Sequence, residues 1–587
     1  MRRAAKVGAR AVLLAGLLLM CAGPLLAQPP NPAAGNQPEL PKIQSIRIHG
    51  ASVYTTNELQ QRLGLVTGAR LPGPPEEIAR EIEQRYARDG YTFGRAKVAI
   101  DDAGVLAIDI DEGQIDDVEF RGVSAEVAAR LREAFAIRTG DVFNRMQATR
   151  ALEDALALTH GAIERRPGQT FAMDRDQGRH VLQVFLRARG SRSGVFVGTQ
   201  GREDWYSPVD GVAPALGFQS TIFDTKGFNH SYWAGYVSYK FAAERAGYTF
   251  GFERPFFADG VLQLGASLHD ITGSDDRWRL TGIEQSLVAF GFRNTFRDYY
   301  RRKGFQLHAA LHPRRSAAGG PRNQRWPVAV ASDRDRKTRV GDPGVRPLGR
   351  HEWMVAWRDE SQRSLLNETD FGLFRGDHAF RPNLPALEGD LRALLVGYTF
   401  DSGGLTEQQP GQRYRRHLLD DLFGSALDGE HRSRIEWRSE FAPAAFAGDF
   451  DFSRHIVNAR TWLQISPRRV FSGRVLAGFS DGVLPPQRLF ALGGIGSVHG
   501  YRFKDVAGES MLLLNGELRQ SIWRPAIAGL AFIDTGRVGR PLAGSTGNWL
   551  TGVGVGVEVG TARVEFGWRA DDIPRSLQVL FRLNRSL

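Results

Sequence analysis

The sequence predicts a membrane-spanning antiparallel β-barrel that follows two small α+β domains. Three observations lead there. The chain opens with an export-type segment, it then repeats one β-α-α-β-β pattern twice, and from about Gly190 onward two-residue alternation replaces helical spacing.

Residues 1–27 read as a secretory signal peptide. Arg2, Arg3, Lys6 and Arg10 form its positive start, Ala11 to Met20 its apolar stretch, and Leu25-Leu26-Ala27 its cleavage site. The apolar stretch is shorter than the ~20 residues of a spanning helix. Cys21, the only cysteine, falls inside this signal. The mature chain is thus expected to have no disulfide, thiolate metal site or cysteine nucleophile, which suits a bacterial envelope. The signal's four positive charges leave a net +7 of the +11 carried by all 587 residues. Residues 28–42 are a Pro-, Asn- and Gln-rich linker. No second run of ~18 apolar residues exists, so a spanning structure has to be a closed barrel.

The first α+β domain covers 43–113. A strand over Ile43–Ile48 is followed by two helices. Thr56 or Asn57 caps the first, and Pro74-Pro75-Glu76-Glu77 opens the second, which carries Ile78, Ile82 and Tyr86 on one face. Strands over Ala96–Ile100 and Val105–Ile110 complete the domain, and Asp111-Glu112-Gly113 closes it. The second domain, 114–189, repeats the order with a strand from Ile115, helices over 124–135 and 145–160, and a last strand over Val181–Leu186.

The remaining 398 residues, 190–587, are rich in Gly, Phe, Tyr and Trp and show no helical periodicity. In Ala562–Arg569 every second residue is apolar, and Leu577, Val579, Phe581 and Leu583 alternate with mostly polar neighbours. Alternation puts the two sets on opposite faces, one for lipid and one for water. Gly554, Gly556 and Gly560 mark a strand with little bulk on one face, where backbone approaches closely or the sheet curves. Between Arg314 and Arg350 lie ten Lys/Arg and three Asp. This basic segment reads first as a solvated loop and second as a contact for phosphorylated lipid headgroups.

Signals for covalent chemistry fail in context, so no catalytic residue and no cofactor is expected. Gly478-Phe479-Ser480-Asp481-Gly482 matches a nucleophile elbow, but Pro485-Pro486 follow where a helix is required. His351-Glu352 lacks the second histidine of a zinc helix, so no metal site is expected there. Gly493-Gly494-Ile495-Gly496 opens no helix and cannot cradle phosphate at a helix start. The remaining histidines are scattered and suit loop or lumen positions. Nucleic acid is not an expected partner, since no recognised module carries the basic charge.

The repeat ending Ile108-Asp109-Ile110-Asp111-Glu112-Gly113, with the earlier Gly90-Tyr91, then Ile115-Asp116-Asp117-Val118 and Gly122, resembles tandem POTRA domains. The C-terminal part resembles the sixteen-stranded barrel of the Omp85 superfamily. Three motifs carry that likeness: Val498-His499-Gly500-Tyr501 with Arg502, Asn515-Gly516-Glu517-Leu518-Arg519, and Phe532-Ile533-Asp534-Thr535-Gly536-Arg537-Val538. The resemblance implies that Val498–Arg502 is the tip of a loop folded back into the lumen. Its cation then meets acids on the inner wall, where parity points to Glu517 and Asp534, with Phe532 and Gly536 on the supporting strand. The family has arginine where this chain has His499. Either His499 or a shifted Arg502 supplies the cation.

The same resemblance implies an outer-membrane protein, of the bacterial surface antigen type, with POTRA-like domains in the periplasm. Its expected partners are outer-membrane lipid and lipopolysaccharide, unfolded outer-membrane or secreted client proteins, and a periplasmic chaperone or inner-membrane partner. Clients are expected at a seam formed by Gly190–Val197 and by Leu577, Val579, Phe581 and Leu583. The linker 28–42 is too short and Pro-rich for the plug helix of two-partner secretion transporters. That favours a BamA/TamA-like assembly factor over a secretion transporter. A passive pore or surface-binding barrel is the remaining alternative.

Overall fold

The computed structural model describes residues 40–587 apart from 176–177, 200–201, 258–260, 314–345, 375–377, 408–431, 524–526, 540–547 and 584–587. The signal peptide and most of the linker and basic segment therefore lie outside the described residues. The chain divides into two compact units, one running to Gln114 with Val142–Arg145, the other holding Ile115–Asp141 and everything from Met146.

In the first unit, β1 (Ser45–His49), α1 (Thr56–Leu63), α2 (Pro75–Arg88), β2 (Arg95–Ile100) and β3 (Val105–Asp111) follow in order. The central strand is β3, parallel to β1 and antiparallel to β2. The cap of α1 is Thr55, one residue before the expected Thr56 or Asn57, because Glu58 completes a capping box with it. Pro74 and Pro75 open α2, and Ile78, Ile82 and Tyr86 are buried in one cluster with Leu106, Ile108 and Ile110.

The closing carboxylate of this unit has a structural task. Buried Glu112 accepts hydrogen bonds from the Ser52 and Val53 backbone N–H groups, both at 2.9 Å. It also accepts from the Ser52 hydroxyl and, at 2.7 Å, from Tyr86 Oη. It thereby ties the loop after β1 and the end of α2 to the end of β3.

A second α/β segment carries β4 (Asp117–Arg121), α3 (Ala125–Ala134), α4 (Arg145–Ala157), β5 (Ile163–Arg165), β6 (Phe171–Asp174) and β7 (Val181–Ala188). Here β7 is central, parallel to β4 and antiparallel to β5 and β6. Its first and last strands therefore pair as in the first unit, so the repeat seen in the sequence is also a repeat of topology.

Sixteen strands then form one antiparallel sheet in which each pairs with the next. They are β8 (Arg192–Val197), β9 (Ala215–Asp224), β10 (Asn229–Lys240), β11 (Arg245–Phe256), β12 (Leu262–Gly273), β13 (Tyr300–Leu311), β14 (Arg346–Ser364), β15 (Gly389–Glu407), β16 (Arg432–Ala442), β17 (Phe452–Ser466), β18 (Arg469–Gly482), β19 (Ser510–Trp523), β20 (Ile527–Gly539), β21 (Leu550–Val559), β22 (Ala562–Arg569) and β23 (Gln578–Arg582). Among the described residues no ladder joins β8 to β23.

Burial is inverted relative to a soluble sheet. On β21, Val555, Val557 and Val559 are exposed, whereas Glu558 is buried. On β20, Ile533 is exposed, whereas Asp534 is buried. Large apolar side chains outside and charges inside are what hydrocarbon on the outer face requires. The inner charges are paired: Arg302 Nη2 lies 2.8 Å from Glu360 and Lys240 Nζ lies 2.5 Å from Glu203, all four buried. Three histidines far apart in sequence from their partners also meet carboxylates on this wall, His308 with Glu253 (3.0 Å), His312 with Glu352 (2.7 Å) and His269 with Glu360 (3.2 Å).

The α/β segment touches the turns after β9 and β11, through Arg130 to the Lys226 carbonyl and His160 Nε2 to the Phe257 carbonyl at 3.1 Å. Strand alternation puts the end of β13 and the start of β14, which flank the basic segment, at the same end of the sheet. The opposite connections carry an unexpected element, α5 (Gly282–Phe292), between β12 and β13. Helical spacing does not end at residue 190, and the capping box Thr281–Glu284 was its legible signal.

Replacing Glu112 by Ala leaves Tyr86 Oη and two backbone N–H groups without their buried acceptor. The expected cost is about 3 kcal/mol to the first unit. Limited proteolysis of the full chain should then show faster cleavage within residues 40–114 and unchanged cleavage of the barrel.

Candidate functional site

The connection between β18 and β19, residues 483–509, lies against the charged inward face of the sheet, where it meets Asp534 of β20 and Glu565 of β22. Glycine lets it approach the wall. Gly500 has φ +83°, and a Cβ there would stand 2.2 Å from Arg569 N and 2.4 Å from Trp568 C. The wall is cut away to match. A Cβ on Gly552 would lie 2.4 Å from the His499 carbonyl oxygen, and one on Gly567 would lie 2.6 Å from His499 Cβ. Gly554 makes room for the Phe532 ring, so the low-bulk face of β21 serves close packing.

His499 is the centre of the contact. Its Nδ1 donates to Asp534 Oδ2 at 2.5 Å and its Nε2 donates to Glu565 Oε2 at 3.2 Å. Only the imidazolium donates from both ring nitrogens. Burial pushes its pKa down, but Asp534 and Glu565 outweigh that and raise it to about 9. The ring also packs against Phe532, with centroids 4.4 Å apart. Asp534 is held from its other side, since Asn515 Nδ2 donates to its Oδ1 at 2.6 Å and to the Ser497 carbonyl at 2.9 Å. Histidine thus serves as a cation here with one donor for each of two acids, where arginine would offer a fork.

The neighbours of His499 fix the tip. Val498 is buried in an apolar cluster with Leu492, Leu513 and Leu550. Tyr501 Oη accepts from Thr551 N at 3.2 Å, and Arg569 lies 5.1 Å over its ring. Gly500 N donates to Gln578 Oε1 at 3.2 Å, which ties the tip to the last strand. Gly536 gives Leu492 space, for a Cβ there would lie 2.8 Å from Leu492 Cδ1.

One expectation needs correction, and the choice between His499 and Arg502 is made by the geometry. Glu517 does face inward, but it is bonded to Arg563 rather than to the loop, because Arg563 lies 2.5 Å away and already neutralises it. Glu565 takes the second place beside His499. It lies on the polar face of the alternating stretch Ala562–Arg569, a signal that the sequence reading of Glu517 and Asp534 left unused. Arg502 does not supply the cation: it is exposed, whereas buried His499 contacts both Asp534 and Glu565. Leu577, Val579, Phe581 and Leu583 are all exposed, on the outward side of the last strand.

Other segments fill the same interior. Glu203, from the connection after β8, accepts from Lys240 Nζ, Thr272 N (2.6 Å) and Tyr236 Oη (3.0 Å). The connection that carries α5 locks onto the loop. Arg279 donates to the Ala491 and Gly493 carbonyls at 2.6 and 3.1 Å, and Lys504 Nζ lies 2.8 Å from Asp276 and 2.6 Å from Asp298. Ser480 lies on β18 and donates to the Glu509 carbonyl at 2.9 Å, without an elbow helix. Among the described residues no group of three His, Cys, Asp or Glu is placed to hold a metal ion.

Asp534→Ala leaves a buried imidazolium with half its counter-charge, and the expected loss is about 3–5 kcal/mol. Urea titration of heat-modifiable migration in gels measures it, and exposed Arg502→Ala should stay within about 0.5 kcal/mol of the parent. Gly500→Ala, with its Cβ forced into the Arg569 backbone, should release the loop to added protease. The pH sign follows from the raised pKa. The His499 contribution is complete below about 6.5 and is lost as pH rises through about 9. Protease cleavage at 495–505 should therefore rise between pH 7 and 10, and His499→Gln should flatten that rise.

Two family profiles match the chain. Residues 426–569 match the Omp85 superfamily domain, and residues 41–113 match the POTRA surface antigen variable number repeat. No curated protein matches in sequence. Among solved structures, CdiB from Escherichia coli is similar at 16% identity and TM-score 0.36, over 98% of this chain and 96% of that one. BamA from Haemophilus ducreyi lacking POTRA domains 1–3 is similar at 12% identity and TM-score 0.47, over 93% and 98%. The N-terminal domain of Omp85 from Thermosynechococcus elongatus is similar at 18% identity and TM-score 0.21, over 26% and 67%. The chain thus carries an Omp85 superfamily domain over 426–569, which spans the loop and its acid-bearing strands, and a POTRA repeat over 41–113, ahead of the sixteen-stranded sheet.

Proposed function

We propose that this protein receives unfolded client polypeptides on periplasmic α+β domains, 43–113 and 114–189, and inserts them into the outer membrane through its barrel, 190–587. The observation that carries this reading is the pair of end strands, β8 and β23, between which no ladder is formed among the described residues. An extended client completes backbone hydrogen bonds at such an edge without needing a particular sequence. In the first unit β2 pairs only with β3 among the described residues, which provides a comparable edge before the membrane.

The filled interior argues against a passive pore. His499, Asp534, Glu203 and Lys240 are buried where an open channel would need water. Export of a dedicated partner remains the alternative use of the same edges. In either case binding and strand exchange suffice, and no covalent step is required.

The test is site-specific photocrosslinking in living cells from Lys97, Val579 and Phe581. Capture of newly made outer-membrane proteins at all three positions is expected, and capture of a single secreted protein would select export. Depletion should lower several outer-membrane proteins at least twofold. Unchanged outer-membrane and secreted protein levels on depletion would sink the proposal.

A further inference from the structure

The helix α5 is inside out. Its polar residues Glu284, Gln285 and Ser286 are buried, whereas Ile283 and Leu287, one turn apart, are 65% and 44% exposed. In a helix facing water this distribution is reversed. The buried face is bonded. Glu284 Oε1 accepts from Leu583 N at 2.8 Å and Arg582 Nε at 3.3 Å, Gln285 Nε2 donates to Thr295 at 3.1 Å, and Ser286 Oγ accepts from Tyr206 N at 3.3 Å. Leu280, just before the helix, packs with Leu580 and Ile495. The start of the helix is thus fastened to the end of the last strand.

That attachment decides what covers the exposed face. Val579, Phe581 and Leu583 of the last strand's outward side are exposed, as the hydrocarbon-facing side of the sheet requires. Leu583, bonded to Glu284 through its backbone, joins this surface to the helix. On β8, the other end strand, Val195 and Val197 are 73% and 88% exposed. We propose that α5 is a lipid-facing wedge: it is clamped to the end of β23 by Glu284 and presents Ile283 and Leu287 to acyl chains at the opening between β8 and β23. The occupant is lipid rather than a second copy, because Glu284, next to Ile283, is bonded to the backbone of Leu583, whose side chain belongs to the exposed apolar row of the last strand. The proposal is independent of what the protein handles.

The test uses the full-length chain in a Cys21→Ser background, folded into liposomes. An environment-sensitive fluorophore is attached at Ile283→Cys or Leu287→Cys, with outward Val579→Cys and exposed Arg502→Cys as references. Phospholipids with brominated acyl chains should quench the labels at 283 and 287 at least half as strongly as the label at 579. They should leave the label at 502 unaffected. Quenching at 283 and 287 by aqueous iodide, with none by brominated lipid, would overturn the proposal. Disulfide-linked pairs of chains from Leu287→Cys would overturn it in favour of a second copy. If labelled chains fail to fold, folding yields of Ile283→Asp and Ile283→Leu decide. At least fivefold less heat-modifiable Asp variant is expected, and equal yields refute the lipid contact.

Discussion

Hydrocarbon offers the backbone no hydrogen-bond partner, and this constraint organises the barrel region. Each spanning strand has to give its N–H and C=O groups to its neighbours. The same medium excludes charge from the outer face, so acids and bases of sixteen strands collect inside. They are stable there only in pairs, which accounts for Arg302 with Glu360, Lys240 with Glu203 and the histidine–carboxylate contacts along the wall. The loop 483–509 uses this environment. It brings one cation to two acids, where burial makes the pairing strong and the loss of either partner costly.

The contact also explains the glycines around it. A loop backbone can lie against a sheet only where side chains are missing from both surfaces. Gly500 on the loop, with Gly552 and Gly567 on the wall, satisfies that condition at three neighbouring points. From this contact, connections reach the end of the sheet. Gly500 bonds Gln578 at the start of β23, while Arg279 and Glu284 link the loop and the end of β23 to the α5 connection. The loop 483–509, the α5 connection and the last strand are therefore joined by hydrogen bonds into one network.

Much of this was legible because two-residue alternation is a one-dimensional signal. Parity placed Asp534 and Glu517 inward and Val579 and Phe581 outward, and the β-α-α-β-β repeat was readable from caps, apolar spacing and closing glycines. Parity could not choose partners. It pointed to Glu517 and Asp534, and the replacement of Glu517 by Glu565 depends on strand register and on Arg563 occupying Glu517. The helix α5 was missed for a related reason. Its apolar residues face outward, so it lacked the usual contrast between a buried stripe and a wet face, and only its capping box identified it.

Periodicity, capping and the backbone freedom of glycine are local, and they made the β-α-α-β-β repeat and the two faces of the strands readable along the chain. The inward course of the loop at Val498–Arg502 was implied by resemblance and not by any of these patterns. Only the tertiary structure decided that His499 takes the place of an arginine, which acids receive it, and that α5 grips the last strand. Such contacts join residues tens to hundreds of positions apart, and nothing in the chain's local chemistry encodes the register that brings them within hydrogen-bonding distance.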